Sequence, residues 1–220
     1  MKYRSAFDII GPVMIGPSSS HTAGAARIGR VARTLFGRLP KKAIISLYGS
    51  FAKTYKGHGT DFAIVAGLLD FDTNDERLPK ALEIANEMGL AIEFRTEDAV
   101  VDHPNTVKIN LYDEANDLEM VGISIGGGTI EITELNSFPL KLSGEHPAIL
   151  VVHQDRFGII SAVTNVLSAH EINIGHMEVS RLEKGEMALM VIEVDQRIED
   201  KVIDELTNLS NVSQIIRMVV

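Results

Sequence analysis

Apolar residues at Ile28, Val31, Ala32, Leu35 and Phe36 recur at the spacing of one buried helical face, and Arg27, Arg30, Arg33 and Arg38 fill most of the remainder. This predicts a helix fed by a loop, GPSSSHTAGA, in which Pro17 and the serines disfavour helix while Ala23, Ala25 and Ala26 favour it. KAIISLYGS then reads as a strand, FAKTYKGHGTD as a glycine-punctuated loop and FAIVAGLL as a short buried helix. A second amphipathic run spans Asp75 to Gly89 through Leu78, Leu82, Ala85 and Met88. TVKINLYD, EMVGISIG and TIEITEL alternate with period two, which puts Val107, Ile109 and Leu111, or Ile130 and Ile132, on one face of an antiparallel sheet covered on one side. Between Asn136 and Pro147 the periodicity lapses into NSFPLKLSGEHP, a boundary between domains at 1–143 and 147–220.

Beyond the boundary the order is strand AILVVHQD, turn RFG, helix IISAVTNVLSAHE, strand INIGHMEVSR, turn LEKGE, strand MALMVIEVD, helix EDKVIDELTNL and strand VSQIIRMVV. That is a ferredoxin-like βαββαβ pattern, with Gly185 at the central hairpin. The fold class expected is therefore α+β: an N-terminal α+β domain of anion- or substrate-binding type, then a ferredoxin-like domain. MALMVIEVD and VSQIIRMVV are too rich in apolar and β-branched residues to stand as free sheet edges, so pairing between copies with two-fold symmetry is expected.

Composition narrows the chemistry. The 220 residues are 45% hydrophobic, enough for a real core, yet no run approaches the ~20 apolar residues that span a bilayer. MKYRSAFDIIGP has no apolar stretch of signal-peptide length, so a cytoplasmic location and no membrane partner are expected. Cysteine is absent, which excludes disulfides, thiol nucleophiles and any metal or cluster site built on this chain's thiolates. Net charge is −9, but residues 1–60 hold ten Lys or Arg against one acid, Asp8, giving +9 there and −18 in the rest. With little aromatic interleaving and no long basic run, that imbalance suits a small anion or an acidic partner surface rather than nucleic acid.

At the start of the first helix, unpaired backbone N–H groups and the positive end of the helix dipole meet serine hydroxyls, a natural seat for a carboxylate or phosphate; plain N-capping by one serine explains the same residues. His21 and His58 lie in loops with glycine close by, and Tyr48 ends the strand leading to the second loop. In a shared cleft the imidazoles could hold a carboxylate or exchange protons near neutral pH, and the phenol could serve a polarised hydroxyl. Ser50 to Lys53 matches the S-x-x-K pattern of acyl-transfer serine enzymes without their partner motifs. His21, His58 and Asp61 lack the two-on-one-helix spacing of a metal site such as H-E-x-x-H. SIGGGT, Ser124 to Thr129, reads as a glycine hairpin rather than a phosphate loop, and His103, His146, His153, His170 and His176 as mostly surface or capping residues.

GPSSSHTAGA, LYGSFAKTYKGHGTD and SIGGGTIEI, in this order and followed by the βαββαβ domain, resemble the beta subunit of bacterial iron-sulfur L-serine dehydratases over essentially the whole chain. The resemblance implies a first domain similar to the anion-binding intervening domain of some phosphoglycerate dehydrogenases, and a second that is an ACT regulatory domain. It implies conversion of L-serine to pyruvate and ammonia with a 4Fe-4S cluster whose open iron acts as a Lewis acid. With no cysteine here, the cluster would be held by a separate cysteine-bearing alpha subunit. It further implies Ser18, Ser19, Ser20 and Thr22 as substrate-facing, His21, His58 and Tyr48 as catalytic groups, and no metal ligand on this chain. In the ACT domain it implies Asp155, Gly158 and Asn173 around a small amino-acid effector, with Phe157 where proline is commoner. The competing readings are a non-catalytic amino-acid- and anion-binding regulatory module, and an independent serine hydrolase.

Overall fold

The computed structural model describes residues 12–219; the opening MKYRSAFDIIG, whose lack of an apolar stretch was noted above, and Val220 lie outside them. The chain divides into two compact units, the first ending at Asn136 and the second beginning at Ser137.

In the first unit a π-helical turn, Ser19–Ala23, runs directly into helix α1, Gly24–Phe36. Helix α1 buries Ile28, Val31, Ala32, Leu35 and Phe36, the face its periodicity predicts, and stops at Gly37 in the left-handed region, φ 82°. Strand β1 (Lys42–Tyr48) follows, then helices α2 (Gly49–His58), α3 (Thr60–Leu68) and α4 (Ala81–Glu87), the last entered through a 3-10 turn at Leu78–Lys80. Four more strands complete the unit: β2 (Ala91–Glu97), β3 (Thr106–Tyr112), β4 (Asp117–Gly126) and β5 (Thr129–Leu135). Their order is β2-β1-β3-β4-β5, with β1 parallel to β2 and the remaining pairs antiparallel. Ile45, Leu47, Val107, Ile109, Leu111, Met120 and Ile132 are fully buried on one covered face, and α1 packs over β4 and β5. The expected glycine hairpin joins β4 to β5, with Gly126, Gly127 and Gly128 all at positive φ.

FAKTYKGHGTD is not a loop. It forms α2 and the first turn of α3, interrupted only at Gly59 in the left-handed region, φ 67°. Helix α2 buries Phe51 alone and carries glycines at 49 and 57, so it shows no apolar stripe; its helicity is imposed by packing against β1, β2 and β3. The expected electropositive opening segment is also altered, because Arg30, Arg38, Lys41 and Lys42 pair with Asp70, Asp113, Glu114 and Glu93 from later in the chain.

The second unit holds β6 (Phe138–Leu142), β7 (Ala148–Gln154), α5 (Ile159–Ala169), β8 (Ile174–Arg181), β9 (Met187–Val194), α6 (Asp200–Thr207) and β10 (Val212–Met218). From β7 onward this is the βαββαβ order expected. The sheet order is β10-β7-β9-β8, antiparallel throughout, over a core that includes Ile149, Val151, Val163, Leu167, Met190, Ile192 and Leu206. Three expectations are corrected. MALMVIEVD is not an edge: β9 lies between β7 and β8, which explains its unbroken apolar run, and the outer strands of this sheet are β8 and β10. NSFPLKLSGEHP contains β6, whose Leu140 and Leu142 are buried and whose end is tied down where Ser143 donates from N and Oγ to Glu193 Oε1. His153 is not at the surface; it is 1% exposed, with Nδ1 2.8 Å from the Gln154 carbonyl.

Among the described residues no helix is long and apolar enough to cross a membrane.

Candidate active site

The serine run is a helix start. Ser18 has extended backbone angles, φ −145° and ψ 125°, and its Oγ accepts from His21 N at 3.1 Å, which is N-capping. The next turn is wider than an α-turn: Ala23 N reaches back to the Ser18 carbonyl and Gly24 N to that of Ser19. Such π-turns recur at functional sites because they displace side chains from the regular helical spacing. Here the displaced side chains form a hydrogen-bonded chain. Ser18 Oγ lies 3.3 Å from Ser20 Oγ, Ser20 Oγ 3.0 Å from His21 Nδ1, and His21 Nε2 3.0 Å from Ser50 Oγ in the first turn of α2.

Helix α2 also delivers the residues that wall the imidazole. Phe51 meets the His21 ring edge-on at 5.2 Å, and the His58 ring lies 4.9 Å away, tilted by 39°. Residues 51 and 58 are two helical turns apart and so share a face. The expected meeting of His21 and His58 is therefore present, although the two sit on helical turns and not in loops. Thr22 is fully buried and its Oγ1 donates to the His58 carbonyl at 2.8 Å, so this hydroxyl ties the π-turn to α2. Ser50 N donates to the Pro104 carbonyl at 2.7 Å, and Gly49, φ 54°, sits so close that a Cβ there would lie 2.6 Å from the same oxygen. Three buried polar atoms near this turn, His58 Nδ1, Thr60 Oγ1 and Ser124 Oγ, have no hydrogen-bond partner among the described residues.

Burial, and then the neighbouring His58, push the His21 imidazolium below its ordinary value, so His21 is neutral at pH 7. A neutral imidazole offers one donor and one acceptor, which matches one serine on each ring nitrogen. Burial raises the Asp61 carboxyl, whose Oδ1 accepts from Phe62 N in the first turn of α3. Among the described residues no three His, Cys, Asp or Glu gather as a metal site, and His21, His58 and Asp61 do not form one.

Among the described residues no hydrogen bond or ring contact joins Tyr48 to the imidazole pair. Leu47 faces the covered core, so by strand alternation Tyr48 shares the other face with Ser46, whose register partner is Lys108. Ser50 was not among the expected site residues. Its sequence signals were the S-x-x-K match and its place in the LYGSFAKTYKGHGTD motif; the lysine of that match, Lys53, is exposed, while the serine meets His21 from 29 positions away.

Residues 5–134 match the family described as serine dehydratase beta chain, and residues 148–211 match the ACT domain. The chain belongs to the serine dehydratase beta chain family. It is 67% identical over 218 residues to a protein named probable L-serine dehydratase, beta chain, of Bacillus subtilis, covering 99% of each chain. To the L-serine dehydratase, beta chain, of Peptoniphilus asaccharolyticus it is 37% identical over 198 residues, covering 89% of each. To an L-serine dehydratase of Helicobacter pylori it is 31% identical over 158 residues, covering 61% of this chain and 34% of that one.

In the ACT domain the three expected ligand residues have separate surroundings. Asp155 Oδ2 accepts from Gly185 N at 3.0 Å and from Arg181 Nη1 at 2.8 Å, and these bonds hold its carboxyl below the usual range while they pin the β8–β9 hairpin. Gly158, φ 88°, opens α5 beside Phe157, which is fully exposed. Asn173 donates from N to Gln196 Oε1 and from Nδ2 to Asp195 Oδ2, and it lines an open groove of about 400 Å³ with Thr164, Leu167 and Ser168 of α5.

Proposed function

We propose that this chain is the beta subunit of a two-subunit L-serine dehydratase, converting L-serine to pyruvate and ammonia, and that it contributes a substrate-facing wall to a cysteine-bearing alpha subunit. The observation that carries this is the hydroxyl–imidazole chain Ser18–Ser20–His21–Ser50 at a helix start. The relatives named beta chain support it, since they share nearly the whole length of this chain. The Helicobacter pylori dehydratase supports it too, because the matched segment is 34% of a longer protein and leaves room there for what this chain lacks. The residues present do not fit an iron-sulfur cluster, for there is no cysteine in 220 residues; we assign a 4Fe-4S cluster to the alpha subunit.

Elimination from serine breaks the Cα–H and Cβ–O bonds, sends the α-proton to a base, and releases the hydroxyl as water once it has gained a proton. The resulting enamine becomes an imine and hydrolyses to pyruvate and ammonia. For this, the Ser18 and Ser19 hydroxyls and the first-turn N–H groups receive the substrate carboxylate at the positive end of the helix, while the Ser20 hydroxyl stays engaged beside His21. Neutral His21 is ready to take a proton at pH 7, and His58, 4.9 Å away, is the second group able to hold one. Thr22 holds the wall together, and Tyr48, on the other face of the sheet, takes no part.

His21→Ala or His58→Ala should each lower turnover of the reconstituted complex by about 100-fold or more, with melting curves separating chemistry from folding. The acid limb of kcat/KM should have its midpoint below pH 6.5, because the His21 value is lowered. Stability moves the same way: above 6.5 both states hold the ring neutral, and below it the unfolded chain protonates first, so stability is lost as pH falls towards the folded value. Turnover within a few-fold of the unaltered protein in both variants would instead favour the non-catalytic binding module.

We further propose that residues 147–220 pair with a second copy and tune the enzyme through an amino acid bound near Gly158 and Asn173. Strand β8 supports this, because it is the last strand of the sheet order and exposes Val179, and Leu182 just beyond it. The full-length chain should have the solution mass of a dimer and Val179→Lys that of a monomer; a monomeric unaltered chain contradicts the proposal.

A further inference from the structure

Both ring nitrogens of His21 carry a serine hydroxyl, from opposite directions in the chain. Two complete arrangements follow. In one, Ser20 donates to Nδ1 and Nε2–H donates to Ser50 Oγ. In the other, Ser50 donates to Nε2, Nδ1–H donates to Ser20 Oγ, and Ser20 donates to Ser18 Oγ. Each uses every polar atom of the ring, and each moves the ring proton to the other nitrogen. Ser18 Oγ can join either, since it already accepts His21 N and lies 3.3 Å from Ser20 Oγ.

We propose that Ser50 is a positioning residue for His21: it occupies the partner position on Nε2, so that the imidazole can carry its proton on either nitrogen without leaving a ring atom unpaired. This rests on the serine-dehydratase reading only for its catalytic consequence; the tautomer effect is a property of the chain by itself. The rest of the surroundings are fixed independently of the hydroxyl. Ser50 N is bonded to Pro104 O, the Ser50 carbonyl accepts from Thr54 Oγ1 at 2.8 Å, and Phe51 and His58 flank the ring. Removing the Ser50 hydroxyl therefore removes one hydrogen bond and leaves the backbone bonds in place. An orphaned buried N–H is worse tolerated than an orphaned lone pair, so the ring should then settle with its proton on Nδ1 facing Ser20.

The test compares Ser50→Ala and Ser50→Thr in the full chain, with 15N NMR of the His21 ring at pH 7.5, and in the complex reconstituted with the alpha subunit, with kcat and KM for L-serine. The unaltered chain should show ring nitrogen shifts averaged between two tautomers, Ser50→Ala shifts displaced to the Nδ1–H form, and Ser50→Thr shifts back at the starting values. In the complex, Ser50→Ala should lose about 10-fold or more in kcat with KM within about 3-fold, and Ser50→Thr should recover most of it. A single fixed tautomer in the unaltered chain, Ser50→Ala spectra identical to it, unaltered kcat, or no recovery in Ser50→Thr overturns the proposal. A complex that fails to deaminate serine even when unaltered, while the ring shifts respond as stated, overturns the dehydratase reading and leaves the Ser50–His21 pairing standing.

Discussion

Gly29→Ala should lower the melting temperature of the first unit by about 10 °C, on the order of 3 kcal/mol, whereas Gly57→Ala should raise it slightly. Helices α1 and α3 touch through their backbones. A Cβ on Gly29 of α1 would overlap the Ile64 carbonyl of α3, and one on Gly67 of α3 would overlap the Ala26 carbonyl of α1. Both obstacles are main-chain atoms that cannot rotate away, so one methyl must drive the helices apart along a contact whose residues Ala25, Ala26, Ala63 and Ile64 are essentially inaccessible to solvent. The π-turn is continuous with α1, so the hydroxyl chain would shift with it, and turnover should fall beyond what the lost stability explains. Gly57 is the contrast. Nothing lies within 4 Å of a Cβ there and its φ is not positive, so alanine gains helix propensity of up to about 1 kcal/mol without a clash. Calorimetry of the three chains decides it: a Gly29→Ala chain melting within about 2 °C of the unaltered one would show that the close approach is not structural.

Those two glycines also mark how far the sequence was legible. The stripe of α1, the period-two alternation of β3 to β5 and the βαββαβ order were readable because each is a local periodicity that burial reinforces. Helix α2 was not readable, since its one buried residue, Phe51, makes no stripe and its glycines mimic a loop. Strand β9 misled for the opposite reason: an apolar run marks a strand but not whether it is central, and while β8 is its hairpin partner, its other neighbour, β7, is separated from it in the chain by α5 and β8. The basic opening segment read as an electropositive face because its partners, Asp70, Asp113, Glu114 and Glu93, follow it by tens of residues. Within the site the serine run, His21 and His58 were visible as residue types in a motif. The pairing of His21 with Ser50 was not, because it depends on a contact between two turns 29 positions apart. Tyr48 shows the converse, since neighbourhood in sequence put it near His58 and strand alternation turned it to the other face.

The central claim is that this chain supplies part of an active site it cannot complete. On the proposed reading its serines, His21 and His58 receive a carboxylate and move a proton, but with no cysteine it has no thiolate for a cluster that would draw off the β-hydroxyl. Catalysis is therefore expected to be all-or-none in the subunits and graded in the side chains. The direct measurement is pyruvate formation from L-serine under anaerobic conditions by this chain alone, by the cysteine-bearing alpha subunit alone, by both together, and by both with His21→Ala in this chain. The expected result is a colourless, inactive chain, an alpha subunit with at most residual activity, full turnover on mixing, and a loss of about 100-fold or more with His21→Ala. Turnover by this chain alone, full turnover by the alpha subunit alone, or an undiminished rate with His21→Ala would contradict it.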